Sequence, residues 1–337
     1  TQRLGSWPLS DEVLQRILAT LLEYQPRVIG VDIYRNFPVP PGYEQLTRTV
    51  AAHANIVMVM KFGSGPLASV PSLPELKETD QVGFNDLLVD RGGIVRRGLL
   101  FLDDGSEHAY SFPLRLSLRS LAKDGILPRP DSTHPDYLQL GAVTFRPLNG
   151  NDGGYVDADA RGYQFLLDFG QTLSPLPTYS VNDLLSGRLA PELFRDKIVL
   201  IGVTAESVPD LFHTPYSAGL GADGKGMYGV TLHAYTTNQL LRAALGGRPP
   251  RQTISEGAEW TWTVFWGILG GIIGTLSRST YRFSLFALGS LALLVALYAL
   301  AFFGGWWLPL VPSAMASIMT AALLTAAIAS KETRERS

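Results

Sequence analysis

The sequence predicts an α/β domain with a mixed sheet over residues 1–250, followed by three transmembrane α-helices. Two observations support this class. Patterns typical of buried strands alternate with amphipathic helix patterns in the first part of the chain, and the last 80 residues contain three charge-free apolar runs. A bilayer core about 30 Å thick needs about 20 apolar residues, because a helix rises about 1.5 Å per residue.

The N-terminal domain begins with a helix followed by a strand–helix–strand unit. Ser10 is placed to cap the first helix. Residues 27–33 and 56–60 have the composition of buried strands, and residues 43–54 between them have a helical pattern. A strand, a helix and a strand at this spacing predict parallel pairing through a right-handed crossover.

The rest of this domain alternates between strands, helices and loops. We predict strands at 83–84, 93–102, 163–169 and 197–203, helices at 111–122, 181–185 and 229–245, and loops or irregular segments at 63–81, 123–160 and 204–228. Residues 197–203 give the strongest strand pattern in the chain. The mixture of βα units and hairpins predicts a mixed sheet.

The three apolar runs predict membrane crossings, and their connectors predict the orientation. The crossings are placed at 258–276, 283–303 and 308–330, after a linker at 251–257 and before the start of a cytoplasmic segment at 331–337. The first connector and the final segment carry Lys and Arg, whereas the Gly-Gly-Trp-Trp connector carries no charge. Because short cationic loops remain in the cytoplasm, residues 1–257 are predicted to be extracytoplasmic.

Small residues spaced four apart suggest close packing between the first and third apolar helices. The pairs are Gly267/Gly271, Gly270/Gly274, Ser313/Ser317 and Ala316/Thr320. Small side chains let helix backbones approach closely in lipid. Glycine and alanine are also common in such helices, so a purely compositional origin stays open.

Charge and cysteine content exclude some classes of function. The chain has a formal net charge of −2, and residues 1–257, with 23 Lys/Arg and 27 Asp/Glu, carry −4. A mildly acidic domain has no electrostatic basis for binding nucleic acid. Cysteine is absent, which excludes zinc sites built on thiolates.

No motif predicts catalysis, a cofactor or a metal. Residues 219–224 match the letters of a dinucleotide fingerprint, but the nearest strand ends some sixteen positions earlier, which favours a flexible loop. Residues 149–159 have a glycine where a calcium loop needs an oxygen ligand, so we expect a polar turn. The chain has neither a His-Glu-x-x-His nor a Gly-x-Ser-x-Gly pattern. We therefore expect no enzyme activity.

Three features remain as candidates for ligand binding: a residue at the end of the first strand, an arginine pair after Asp90, and a segment past the strongest strand. The residues are Asp32, Arg96, Arg97, Asp210, His213 and Thr214. Loops at the carboxyl ends of strands in α/β sheets are the usual place for ligands. A structural alternative stays open, in which Asp210 caps a turn and Arg96 or Arg97 pairs with Asp32 or Asp90.

Several segments, taken together in their order, carry a family resemblance. They are residues 29–33, residues 82–84, Asp90, residues 93–97, residues 196–205, Asp210, residues 214–215 and residues 227–234. These segments closely resemble the type-two CHASE domain, an extracellular sensory domain associated with bacterial nucleotide cyclases, histidine kinases and Ser/Thr kinases. The resemblance implies an N-terminal anchor, this domain, three transmembrane helices and a cytoplasmic output domain. We therefore expect a signal peptide or anchor before residue 1, an output domain after residue 337, and a location in the bacterial inner membrane.

The resemblance and the topology together predict the sensor and transmembrane portion of a bacterial signalling receptor. The expected stimulus is a small molecule or protein outside the cytoplasm, and the expected partners are the lipid bilayer and a second copy of the chain or another membrane subunit. Two alternatives stay open. The first is a structural or accessory subunit that uses the domain as an assembly surface, and the second, ranked last, is a membrane-anchored enzyme.

Overall fold

The chain folds into two compact units. The computed structural model describes residues 8–63, 69–103, 108–169, 176–205, 210–217, 224, 226–277 and 279–336. The first unit consists of Thr1–Pro147 and Arg161–Pro250, and the second consists of Leu148–Ala160 and Arg251–Ser337. Because the second unit includes a loop from the middle of the first, the chain passes between the two units three times.

The described residues contain helices and strands in both units. The α-helices are α1 Asp11–Glu23, α2 Tyr43–Ala52, α3 Phe112–Ala122, α4 Val181–Leu185, α5 Gly229–Gly246, α6 Glu256–Leu276, α7 Thr280–Phe303 and α8 Leu310–Arg336. The strands are β1 Val28–Val31, β2 Ile56–Met60, β3 Val82–Phe84, β4 Leu88–Val89, β5 Val95–Leu99, β6 Phe101–Asp103, β7 His108–Tyr110, β8 Arg129–Pro130, β9 Leu138–Leu140, β10 Val143–Phe145, β11 Gln164–Leu166, β12 Ile198–Ile201, β13 Leu211–Phe212, β14 Met227–Tyr228, β15 Gln252–Thr253 and β16 Trp306–Trp307. The helices predicted at 43–54, 111–122 and 229–245 are confirmed with small shifts at their ends. Ser10 caps α1 as predicted, because its hydroxyl accepts a hydrogen bond from the Val13 N–H (3.4 Å).

A four-stranded parallel sheet lies at the centre of the first unit. Its strand order is β12-β1-β2-β3. In β1, Gly30 pairs with Leu200 of β12 on one side and with Val57 of β2 on the other. The predicted strand–helix–strand unit β1-α2-β2 is therefore confirmed. Parallel pairing also brings the carboxyl ends of all four strands to the same edge of the sheet.

Helices cover both faces of this sheet. On one face α1 and α2 pack in a core that includes Ile29 and Ile56, and on the other face α3 packs against Val28 and Val57. This division follows from the strand geometry, since successive side chains point to opposite faces. The first unit is therefore a helix–sheet–helix sandwich around its parallel strands.

Two glycines let α3 approach the sheet closely. A Cβ at Gly30 would lie 2.7 Å from the ring of Phe112, and a Cβ at Gly83 would lie 2.6 Å from the Phe112 Cα. Any side chain at either position would push the start of α3 away. The close contact fixes α3 over the middle of the sheet.

Short antiparallel sheets surround the central one. Their strand orders are β11-β5-β4, β10-β9-β8, β6-β7 and β13-β14. The prediction that residues 123–160 are irregular is wrong, because β8, β9 and β10 form a three-stranded sheet there. Strands of two or three residues are too short to show an alternating pattern, and one of them contains Pro130. The α/β class is confirmed, but the predicted mixed sheet is not found among the described strands, because the central sheet is wholly parallel and the antiparallel strands form separate sheets.

The second unit is built on three long helices. Among the described residues, two helices are long and apolar enough to cross a membrane, Thr280–Phe303 and Leu310–Glu335. The first predicted crossing, 258–276, lies in helix α6, which has 21 residues but is not one of these two helices. Two possible spans are thus supported, and the third crossing stays a prediction.

Helices α6 and α8 pack backbone to backbone. A Cβ at Gly270 would lie 2.1 Å from the Ser317 carbonyl oxygen, and a Cβ at Gly274 would lie 2.5 Å from the Ala321 carbonyl oxygen. The Thr320 hydroxyl donates a hydrogen bond to the Gly267 carbonyl (2.7 Å) across the same interface. The small-residue spacing in the sequence therefore serves this intramolecular contact.

The loop 148–160 packs on the end of the second unit where α6 begins. The Gly153 N–H donates a hydrogen bond to the Glu259 carboxylate (2.8 Å). A Cβ at Gly154 would lie 2.9 Å from the ring of Trp307, and the Tyr155 ring meets the same indole edge to face at 5.9 Å. The polar turn expected here is thus a docked segment, and this hydrogen bond and these aromatic contacts help to hold it.

The α6–α8 contact predicts a specific disulfide. An ideal Cβ at Gly267 would lie 3.7 Å from the Ala316 Cβ, close to the separation of about 3.8 Å found in disulfides. We expect the double variant Gly267→Cys/Ala316→Cys to form an intramolecular disulfide on mild oxidation, since the chain has no other cysteine. To detect the disulfide, the chain is cleaved by a protease between α6 and α8 and run on a non-reducing gel. The two fragments stay linked only if the disulfide has formed.

A matched control is Gly289→Cys/Ala316→Cys, because a Cβ at Gly289 meets no atom within 4 Å. This control pair should stay reduced under the same conditions. Equal cross-linking of the two pairs would contradict the packing of α6 on α8.

Candidate functional site

Polar side chains gather where the parallel strands end. Asp32 follows β1 directly, Lys61 follows β2, and Asn85 and Asp86 follow β3. Asp210 precedes β13, a short strand that pairs with β14 immediately before α5. We call this group, together with Tyr34 and with His233 of α5, the sheet-edge cluster. All its members belong to the first unit.

A chain of hydrogen bonds orients one side of the cluster. The Tyr34 hydroxyl donates to the Asn85 side-chain oxygen (2.7 Å), and the Asn85 side-chain nitrogen donates to Asp32 Oδ1 (2.8 Å). Burial raises the pKa of Tyr34 to about 12, so its hydroxyl keeps its proton at neutral pH. The arrangement leaves Asp32 Oδ2 without a hydrogen-bond donor among the described residues.

Asp86 holds the backbone after β2. Its two carboxylate oxygens accept hydrogen bonds from the Phe62 N–H (2.8 Å) and the Gly63 N–H (2.9 Å). Both oxygens are therefore occupied by main-chain donors. Asp86 shapes the rim of the cluster and adds negative charge to it.

Asp210 lies against the start of α5. Its carbonyl accepts the Gly229 N–H (3.1 Å), and a Cβ at Gly229 would lie 2.4 Å from Asp210 Oδ2. Only glycine at position 229 lets the carboxylate approach the helix this closely. Burial raises the pKa of Asp210, and the nearby Asp32 raises it further, while His233 and Lys61 oppose that shift.

His233 is the buried member of the cluster. It lies one turn into α5, its side chain is almost fully buried, and its ring meets Phe112 edge to face at 5.6 Å. Burial lowers the pKa of His233, opposed by Asp32, Asp210 and Asp86, so the ring is neutral at pH 7. The Asn85 backbone also hydrogen-bonds the ring, whereas Nδ1 is buried with no partner among the described residues.

The structure separates the predicted site residues into two places. Asp32 and Asp210 lie in the sheet-edge cluster and influence each other electrostatically, as expected for residues after neighbouring parallel strands. Arg96 and Arg97 lie on β5, in a different sheet. The structural alternative for the arginines is observed, since both pair with Asp90.

Arg96, Arg97 and Asp90 form an ionic cluster in which Arg97 and Asp90 are buried and Arg96 is partly exposed. Arg97 contacts Asp90 Oδ1 through Nε (2.8 Å) and through its terminal nitrogen (2.7 Å), and it also donates to the Gln164 side-chain oxygen (2.7 Å). Arg96 contacts the other Asp90 oxygen at 3.2 Å. Both arginines thus have an ion-pair partner in Asp90, between β4 and β5, which is the structural alternative given for them.

The segment that contains His213 and Thr214 is hydrogen-bonded to β5, the strand that carries Arg96 and Arg97. The His213 carbonyl accepts the Val95 N–H (2.8 Å), which joins the segment to β5, while the His213 side chain is exposed. Thr214 is buried and forms a tight turn with Ser217, whose hydroxyl accepts the Thr214 N–H (2.8 Å). Thr214 thus closes a turn, and His213 faces solvent.

Sequence reasoning missed the residues that complete the cluster. Asn85 and Asp86 follow the short strand β3, so the rule that selected Asp32 also points to them. His233 had no such signal, since a histidine in a buried helix face is usually a packed side chain. The fingerprint-like residues 219–224 lie, apart from Gly224, outside the described residues.

Comparison with known proteins identifies a family. A family model described as the CHASE2 domain matches residues 1–272. No curated protein and no solved structure gives a match. The matched segment contains every residue of the sheet-edge cluster.

The neutral, buried state of His233 predicts how stability depends on pH. Because its folded pKa lies below the ordinary value of 6.5, the unfolded chain binds more protons between the two values. The free energy of unfolding should therefore fall as pH drops below about 6.5. We expect His233→Gln to flatten this acid-side loss, measured as the thermal unfolding temperature of the full chain between pH 7.5 and about 5.

The slope is compared within each protein, so a constant loss of stability in the variant does not affect the test. His53→Gln is the matched control, because His53 is exposed at the end of α2. A His233→Gln profile parallel to that of the unmodified protein would contradict the assignment.

The ionic cluster on β5 predicts a large stability loss. Arg97→Met leaves Asp90 buried without its main partner, which costs about 3–5 kcal/mol when a buried pair is broken. Arg188→Met is the control, since its pair with Asp183 is exposed and such pairs contribute about 0–1 kcal/mol. Thermal unfolding of the full chain measures both, and equal small losses would show that Arg97 has no structural role.

Proposed function

Because the chain belongs to the CHASE2 domain family, whose members are extracytoplasmic sensory domains, we propose that it is the sensor and transmembrane portion of a bacterial signalling receptor. The match over residues 1–272 carries this proposal. In it, an extracytoplasmic stimulus changes the first unit, and the helices of the second unit relay the change to a cytoplasmic output domain of cyclase or kinase type.

The sheet-edge cluster supports a sensing role. A receptor site needs polar groups that a ligand can reach, at a position where a small shift moves a long element. Asp32 and Asp210 are half-buried at the rim, and His233 belongs to α5 itself. A ligand that binds one arrangement of these groups more tightly than another moves the equilibrium between them.

The chain connects this site to the helices of the second unit. Helix α5 ends at Gly246, Gly247 adopts a positive φ of 63°, and α6 begins at Glu256. A displacement of α5 therefore passes along nine connecting residues, 247–255, to α6. The small-residue contact between α6 and α8 supports a relay in which these two helices move together.

Three crossings fit the charges around the helices. Ser277 to Arg282 carry two arginines, and the end of α8 carries Lys331, Arg334 and Arg336. With α6 as a crossing, both basic segments lie on the cytoplasmic side, in agreement with the positive-inside rule. The first unit then lies outside at the inner membrane, as the family's extracytoplasmic domains do.

One of the observations that favoured a structural subunit has another explanation. The small-residue pairs on α6 and α8 suggested docking into a larger membrane complex. Gly270 and Gly274 instead contact α8 of the same chain, and the Gly267 carbonyl accepts a hydrogen bond from Thr320. A receptor that acts as a homodimer stays compatible with these contacts, and the apolar faces of α7 remain for lipid.

The topology predicts a labelling pattern for single cysteines. In spheroplasts, a membrane-impermeant maleimide should label Asp136→Cys and Ser255→Cys, which precede α6. The same reagent should leave Ser279→Cys and Thr333→Cys unlabelled until the membrane is permeabilised, because both follow an odd number of crossings. The absence of native cysteine makes each signal specific.

The four positions separate the possible failures. Labelling of both Ser255→Cys and Ser279→Cys would show that α6 does not cross the membrane. Protection of Asp136→Cys would place the first unit inside the cell and overturn the receptor proposal.

A further inference from the structure

The loop 148–160 leaves the first unit after β10, belongs to the second unit, and returns to the first unit before β11. Hydrogen bonds inside the loop fix its backbone. The Asp152 carboxylate accepts the Asn149 N–H (2.9 Å), and the Asn151 side-chain oxygen accepts the Asp157 N–H (3.0 Å). A loop that is bonded to itself in this way has little slack, so a displacement of its two ends reaches its tip.

The tip of this loop rests on the turn between α7 and α8, residues 304–307. A Cβ at Gly153 would lie 2.8 Å from the Trp307 ring and 3.2 Å from the Thr253 methyl group, and a Cβ at Gly154 would lie 2.9 Å from the same ring. Neither position has room for a side chain. The backbone of the loop therefore lies directly on the indole.

The linker before α6 is bound to the same turn. In the parallel pair β15–β16, Gln252 is opposite Trp306, and the Gln252 N–H donates a hydrogen bond to the Gly305 carbonyl (2.9 Å). Arg251 donates to the Phe302 carbonyl at the end of α7 (2.6 Å), and its guanidinium lies 3.8 Å from the centre of the Phe302 ring. All three passages of the chain between the units are thus followed, within a few residues, by contacts at the α7–α8 turn.

We infer that the loop 148–160 is a strap through which the first unit acts on the α7–α8 turn, separately from α5. On the proposed sensor function, on which this inference rests, the strap is a second route for the signal. It delivers a displacement to the turn that joins α7 and α8, the two helices long and apolar enough to cross a membrane. Because coupling between two sites acts in both directions, a change at the turn also affects the strands that flank the strap.

Removal of the indole tests this coupling from the side of the turn. Trp307→Ala takes away the surface on which the strap lies. We expect amide hydrogen exchange to become about threefold faster or more in β10 and β11, which belong to the first unit, as well as in the strap itself. Mass spectrometry on the full chain in detergent micelles measures it. The control is Trp306→Ala, since Trp306 is the exposed neighbour in the same strand, and it should leave β10 and β11 unchanged.

A change in the strap tests the coupling in the opposite direction. Gly154→Val places a side chain where the Trp307 ring lies, so the strap must move away from the turn. We expect faster exchange in the first two turns of α8, residues 310–317. Gly257→Val is the matched control, because a Cβ at Gly257 meets no atom within 4 Å, and it should leave these residues unchanged. The unfolding temperature shows which variants fold, and if Trp307→Ala does not, Gly154→Val carries the test.

The position of the faster exchange decides between a strap and a loop that is merely docked. Faster exchange confined to 148–160 in Trp307→Ala, or no change at 310–317 in Gly154→Val, would overturn the inference, and so would equal effects from the controls. Exchange in micelles does not depend on membrane orientation. Confined exchange with the expected cysteine labelling overturns the strap alone, whereas transmitted exchange with a first unit inside the cell overturns the receptor function alone.

Discussion

The parallel register of β1 between β12 and β2 is the constraint on which the rest of the first unit depends. It places the residues after three neighbouring strands at one edge, where Asp32, Lys61 and Asn85 meet. Parallel strands require crossover connections, and here helices supply them on both faces of the sheet. Gly30 and Gly83 complete this geometry, because their missing side chains let α3 lie flat on the strands and bring Phe112 under His233.

The elements that sequence reasoning identified are those with long local patterns. Helix α1 has an apolar face and a serine cap, and β2 is a run of five apolar residues, so each can be recognised without knowledge of its neighbours. The sheet β8-β9-β10 could not be recognised in this way. Its strands are two or three residues long, and only their pairing with each other defines them. The strand β12, with the strongest pattern, lies at an edge of the sheet and is only partly buried.

The sequence predicted those site residues that follow recognisable strands. Asp32 and Asp210 followed from the rule that ligands bind at the carboxyl edge of parallel strands. Arg96 and Arg97 satisfied a looser rule, adjacency to a strand, and the structure pairs them with Asp90 instead. His233 contributes through its burial, which depends on Phe112 and Asn85 from distant parts of the chain. Electrostatically the cluster is unfavourable for folding, because burial opposes charge on both Asp210 and His233. Functional sites commonly retain such arrangements at a cost in stability.

The docked loop 148–160 affects how the protein can be divided for study. A fragment ending at Pro250 retains the loop but lacks Glu259 and Trp307, so the Gly153 N–H and the Tyr155 ring lose their partners. Such a fragment lacks the indole that packs against the Tyr155 ring. The loop also closes on itself, since the Ala158 N–H donates to the Gly150 carbonyl (3.0 Å). A soluble fragment is therefore best made by deleting this loop and joining the residues on either side of it with a short turn.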